Sequence, residues 1–265
     1  MATPNQPTTS PVRTTPAIHS LLQRLHTQST IQESGIDPAA IAALRAQSKA
    51  DAAAGSAALD ALMLDKFIAL DEDKCHFMYN LLVAMGATTV VEAGTSFGVS
   101  TIYLALAVGR NVAAAVTARA KDGPRDGGEV EVKGVVVGTE KEDSKAAIAR
   151  AYWHEAGDEV ERWIDLKVGD LNDTLAGDLG LQEGRKVDFL LLDRFPNSIW
   201  PHVALPALKY VIPHLRPGAV VLTDNTISSA ESYRELLAVL RNADGPFTST
   251  TLPFKGGFEF SVYQP

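Results

Sequence analysis

A single cysteine, Cys75, leaves this 265-residue chain no partner for an internal disulfide, which fits a reducing compartment. No apolar stretch is expected to be long enough to span a bilayer. Residues 2–16, ATPNQPTTSPVRTTP, lack the apolar core of a secretory signal. A basic excess is missing too: 24 Lys and Arg against 32 Asp and Glu give a formal net charge of −8. That balance disfavours a duplex nucleic acid or an anionic membrane surface as partner. Acids are themselves absent before Glu33, although Arg13 and Arg24 are present. Such a start reads as a disordered Pro/Thr-rich tail over residues 1–16, with a transit peptide as the alternative. What remains is an ordinary globular composition, 46% apolar and 21% charged, with enough chain to bury a full core. The expected location is cytoplasmic.

The most informative segment is Thr88–Thr101, TTVVEAGTSFGVST. An apolar strand ends in Glu92, a turn containing Gly94, Thr95, Ser96 and Gly98 follows, and a helix opens at Ser100. Strand, glycine turn and helix present backbone N–H groups and a helix N-terminus to a nucleotide-like ligand. The dinucleotide fingerprint G-x-G-x-x-G is broken, because position 96 is Ser. An ordinary strand–helix turn would look similar.

Around this motif the chain alternates between short apolar strands and helices. Strands are expected at 88–92, 135–139, 164–168, 187–193 and 219–223, and helices at 141–156, 171–179, 202–214 and 229–241. Two last strands, 248–254 and 258–263, flank Lys255-Gly256-Gly257 as a hairpin. The fold class is therefore α/β, a Rossmann-like, mostly parallel sheet with helices on both faces and an antiparallel end. Residues 17–64 form an extra helical segment, with Ile18, Leu21, Leu22 and Leu25 on one face. It would cover the active site or join a second copy in a homodimer. Residues 65–265 form the catalytic domain. Residues 110–133 make an unusually long connection, read as a surface loop.

Ligands of open α/β sheets bind beyond the carboxyl ends of the strands. Acids stand at each such end: Glu92, Glu140, Asp170, Asp193 and Asp224, the last followed by Asn225. Singly, each reads as a helix N-cap; together they read as a site. Glu140 suits a ribose diol. Asp193, Asp224 and Asn225 are hard oxygen ligands on adjacent strand ends and suit Mg²⁺ or another divalent cation. Otherwise Asp193 and Asp224 are cofactor-side or capping residues with no metal.

The glycine turn resembles motif I of the class I S-adenosylmethionine (SAM)-dependent methyltransferases. With VVVGTEKEDSKAAIARAYWHEAG, LKVGD, VDFLLLDRFPN, LRPGAVVLTDN and FKGGFEFSV, residues 65–263 resemble the catechol/caffeoyl-CoA type of O-methyltransferase, in its small microbial and fungal form. The resemblance implies a seven-stranded sheet, SAM as cofactor and a small, hydroxylated, aromatic acceptor. It implies that Glu92 and Ser100 hold the methionine end of SAM, that Glu140 holds the ribose and that Asp170 meets adenine. It also makes Asp193, Asp224 and Asn225 the metal ligands.

One departure bears on the chemistry. The family's strand-4 Asp is usually followed by a lysine that helps deprotonate the acceptor, and Pro196 stands in its place here. The base would then be Asp193 or His202, helped by the metal. Alternatively the protein binds SAM without transferring a methyl group. A nicotinamide-dependent oxidoreductase is disfavoured by Ser96 and by the lack of a Tyr-x-x-x-Lys set. Phe195, Trp200, Phe254 and Phe258 are candidate wall residues for the acceptor.

Overall fold

A computed structural model describes residues 10–37, 39–44, 65–122, 132–177, 179–181, 184–193 and 201–265, with 58, 61 and 62 singly. Seven strands form one sheet: β1 Thr89–Ala93, β2 Val135–Glu140, β3 Ile164–Val168, β4 Val187–Leu192, β5 Leu215–Asp224, β6 Phe247–Leu252 and β7 Phe258–Tyr263. Their order is β3-β2-β1-β4-β5-β7-β6. The first five are parallel, β7 runs antiparallel to β5, and β6 runs antiparallel to β7. This is the expected fold. The strand order reverses between β1 and β4, which opens a crevice at their carboxyl ends.

The helices are α1 Pro16–Ser34, α2 Glu72–Met85, α3 Val99–Asp122, α4 Asp143–Ala156, α5 Asp158–Glu161, α6 Leu171–Ala176, α7 Pro201–Val211 and α8 Arg234–Leu240. One apolar cluster joins α1, α2, α3 and α4 to one sheet face through Val90, Val136, Phe189, Leu191, Val220 and Leu222. A second joins α6, α7 and α8 to the other face through Val91, Val137, Leu190, Leu192 and Val221. Strand side chains alternate with period two, so residues of one parity share a face. Glu92, Glu140, Asp193 and Asp224 carry the parity of Val90, Val136, Leu191 and Leu222, and so stand on the face that α2 and α3 cover. In register, Ala93 pairs with Leu192 and Leu192 with Thr223, so the next step brings Asp193 alongside Asp224.

α1 buries Ile18, Leu21, Leu22 and Leu25, the face expected from its periodicity, inside the chain's own core. Of the expected tail, residues 1–9 lie outside the described residues. Residues 10–15 lie along α2: Val12 is buried, and Arg13 N–H donates to Tyr79 Oη at 3.3 Å. Most of residues 45–64 also lie outside the described residues.

The connection expected over 110–133 is shorter than its sequence suggests, because α3 continues to Asp122 on an Ala-rich run. Residues 123–131, the Gly/Pro-rich centre of that segment, lie outside the described residues. By length and hydropathy α3 is also long enough to cross a bilayer, contrary to expectation, but two-thirds of its most apolar window is buried in the core.

Candidate active site

The turn after β1 is held from below and from the side. Glu92 is wholly buried and accepts three hydroxyl hydrogen bonds, from Thr95 at 2.9 Å, Ser100 at 2.6 Å and Thr101 at 2.6 Å. Its carboxyl pKa is raised, first by burial, against the pull of these donors. A carboxylate offers about four acceptor sites, so one remains uncommitted. Thr95 N–H donates to Thr139 O at 2.9 Å, and Ser96 N–H donates to Glu140 Oε2 at 2.7 Å. Glu140 Oε1 accepts from Glu142 N–H at 2.8 Å. The turn is thus stapled to the end of β2. Gly94, Ser96 and Gly98 all have positive φ, at 100°, 51° and 75°. A Cβ on Gly98 would come within 2.6 Å of the Trp153 indole, whose Nε1 donates to Gly98 O. That close approach explains the glycine there.

Asp170 is exposed and caps α6, accepting from Asn172 N–H at 2.9 Å. It stands beside the turn's support, since Gly169 N–H donates to Glu140 O. The capping geometry therefore holds at Asp170, and it leaves the outer face of the carboxylate open to solvent.

The ends of β4 and β5 carry a different constellation. Lys74, from the first turn of α2, is 1% exposed and donates to Asp224 Oδ1 at 2.7 Å and to Asp71 Oδ2 at 2.8 Å. Burial opposes its charge, but Asp224 and Asp71 outweigh burial and its pKa is raised. Asn225, at a positive φ of 61°, donates its side-chain amide to Asp224 Oδ2 at 2.7 Å. Asn225 Oδ1 accepts from Ser228 Oγ at 3.2 Å. Burial raises Asp224 to about 6 despite Lys74. Asp193 is only partly covered at the rim, and its carboxyl is pushed well up by desolvation, then by Asp224 and Glu92.

These contacts test the expected divalent site. Both Asp224 oxygens are engaged, one by an ammonium and one by an amide. Asn225 turns its donor end, not its oxygen, toward Asp224. Among the described residues no group of three or more His, Cys, Asp or Glu side chains is arranged to hold a metal ion. The trio does not fit a divalent ion in this arrangement.

His202 falls in the first turn of α7, and its side chain lies outside the described residues, as do Arg194, Phe195, Pro196 and Trp200. Phe258 is fully buried and pairs with Asp224 in register. Together with Phe254 and Phe77 it forms an aromatic group, with ring centroids 5.6–6.4 Å apart.

Sequence reasoning missed Asp71 and Lys74. A signal was present: the helix macrodipole disfavours a cation in a first turn, and Lys74 sits in one beside three consecutive acids.

The sheet order, the stapled glycine turn at the switch point and the acids along one rim define the class I methyltransferase fold. The family described as a methyltransferase domain matches residues 91–226, just over half of the chain, and the chain belongs to it. Among curated proteins there is no match.

Among solved structures, the O-methyltransferase TomG from Streptomyces achromogenes, in complex with SAM, is 22% identical, with a TM-score of 0.57. The match covers 74% of this chain and 82% of TomG. Cofactor-bound Rv0187 from MTB is 24% identical over 95% of this chain and 99% of its own, with a TM-score of 0.58. The O-methyltransferase from Bacillus cereus, in complex with SAH, is 18% identical over 91% and 100%, with a TM-score of 0.56. At such identities the likeness is one of fold.

Proposed function

We propose that this methyltransferase uses SAM to methylate a hydroxyl of a small, aromatic acceptor. The observation that carries the reading is the turn at the switch point, where Glu92 braces the glycine segment and Glu140 staples it to β2. The uncommitted acceptor site on Glu92 suits the ammonium of the methionine end. Glu140 keeps one free acceptor site per oxygen for a ribose diol. Asp170 stands beside Glu140, where an adenine amino group would reach it.

When bound, SAM supplies an electrophilic methyl group and leaves as S-adenosylhomocysteine. Asp193 is the base in this reading. Burial, with Asp224 and Glu92 nearby, raises its pKa above the ordinary carboxylate value and makes it the stronger proton acceptor. It lies one step beyond the β1–β4 pairing and so faces the crevice from the side opposite Glu140. An aromatic acceptor is supported by the half-buried rings of Phe254 and Phe77, which pack on buried Phe258 beside Lys74. Metal assistance is not part of this reading, because the Lys74 ammonium already stands in the cation position beside Asp224.

The test is calorimetric titration of the full chain with S-adenosylhomocysteine, with NADH as control. Micromolar or tighter binding of the first and none of the second is expected. The reverse pattern would replace the reading with a nicotinamide enzyme.

A further inference from the structure

A buried lysine between two acids at the ends of α2 and β5 has no part in shaping the glycine turn. It comes from an element outside the strand–turn–helix motif. Its ammonium is 2.7 Å from Asp224 and 2.8 Å from Asp71, with the Phe258 ring centroid 6.0 Å away. It is close enough to Asp193 to pull that carboxyl's pKa down against burial. Two carboxylates therefore share one cation, and Asp193 stands next in register to Asp224. Lys74 is 1% exposed, so its own charge is balanced by these acids rather than by water.

We propose that the Lys74 ammonium is the resident cation of the acceptor side of this site. It stands where Asp193, Asp224 and Asn225 would otherwise hold a divalent ion, so the site works without one. Lys74 is a positioning residue. It holds Asp224 in one rotamer and lowers the charge that Asp193 faces, and Asn225 donates to the second Asp224 oxygen. The inference rests on the O-methyltransferase reading only for what the site does, and not for what it binds.

The readout is Mn²⁺ uptake by the full chain, followed by the loss of the free-ion paramagnetic signal. It is paired with S-adenosylhomocysteine titration of the same samples. Wild type is expected to take up no stoichiometric Mn²⁺ at this position. Lys74→Gln and Lys74→Met remove one positive charge at a buried site and leave the carboxylates, which should raise Mn²⁺ affinity about tenfold or more. Adding Asp224→Asn to either variant should abolish the gain. One equivalent of Mn²⁺ bound by wild type and lost in Asp224→Asn would overturn the proposal, and so would folded lysine-free variants that gain nothing. If neither lysine variant folds, the wild-type arm decides alone. Failure of S-adenosylhomocysteine to bind would count against the function and leave the cation result standing.

Discussion

Replacing Lys74 with Met keeps most of the side-chain volume and removes the charge. Asp224, 5% exposed, then keeps only the Asn225 amide, and Asp71 loses its partner. Removing one member of a buried ion pair costs about 3–5 kcal/mol, a large share of the roughly 5–15 kcal/mol that holds a domain folded. The cost must depend on pH. An orphaned carboxylate can escape by taking up a proton, which costs about 1.4 kcal/mol for each pH unit above its unfolded value of 3.8. That escape costs about 6 kcal/mol at pH 8 and about 1.6 kcal/mol at pH 5, and wild-type Asp224, at about 6, already bears about 3 kcal/mol of it at pH 8 and nearly all of it at pH 5. The sign follows from the direction of the shift. Asp224 already has a raised folded pKa, and loss of Lys74 raises it further, so the variant loses stability as pH rises. Urea unfolding should therefore show a loss of up to about 3 kcal/mol at pH 8 and close to none at pH 5. Lys74→Met/Asp224→Asn should recover most of the loss at pH 8. Equal losses at the two pH values, or a double variant no better than the single one, would refute the account.

Other outcomes follow from the same geometry. Asp193→Asn should lower kcat/KM about 10²–10⁴-fold and leave S-adenosylhomocysteine affinity nearly unchanged. Because the folded pKa of Asp193 is raised, its ionisation costs stability as pH rises, so this variant should unfold no earlier than wild type at pH 8. An earlier unfolding midpoint would contradict that sign. Gly98→Ala meets both a positive φ and the Trp153 indole. Strain and overpacking together should cost about 2–4 kcal/mol, measured by denaturant unfolding. Thr101→Val removes one of the three donors to buried Glu92 and should cost about 1–3 kcal/mol. It should also weaken S-adenosylhomocysteine binding, because the turn loses a brace. Prolonged EDTA treatment should leave methyl transfer unchanged, and loss of activity restored by Mg²⁺ would return the metal to the site.

Much of this protein is fixed by local sequence. The alternation of apolar runs and amphipathic helices determined the sheet, and Glu92, Glu140, Asp193 and Asp224 were legible because each follows an apolar strand directly. Period-two alternation then puts them on one face whatever the rest of the chain does. The length of α3 was missed because its Ala-rich extension carries helix propensity but no apolar stripe for a pattern to catch.

How the acids are satisfied was decided only by tertiary structure. Glu92 finds its three hydroxyls within nine residues, yet they converge only once the turn adopts positive φ. Lys74 and Asp224 are 150 residues apart, and no sequence pattern links them. They meet because α2 runs antiparallel to β1 and so brings its first turn to the carboxyl ends of the strands. The carboxylates were set by local spacing; the cation that neutralises them was set by how one helix packs across the sheet.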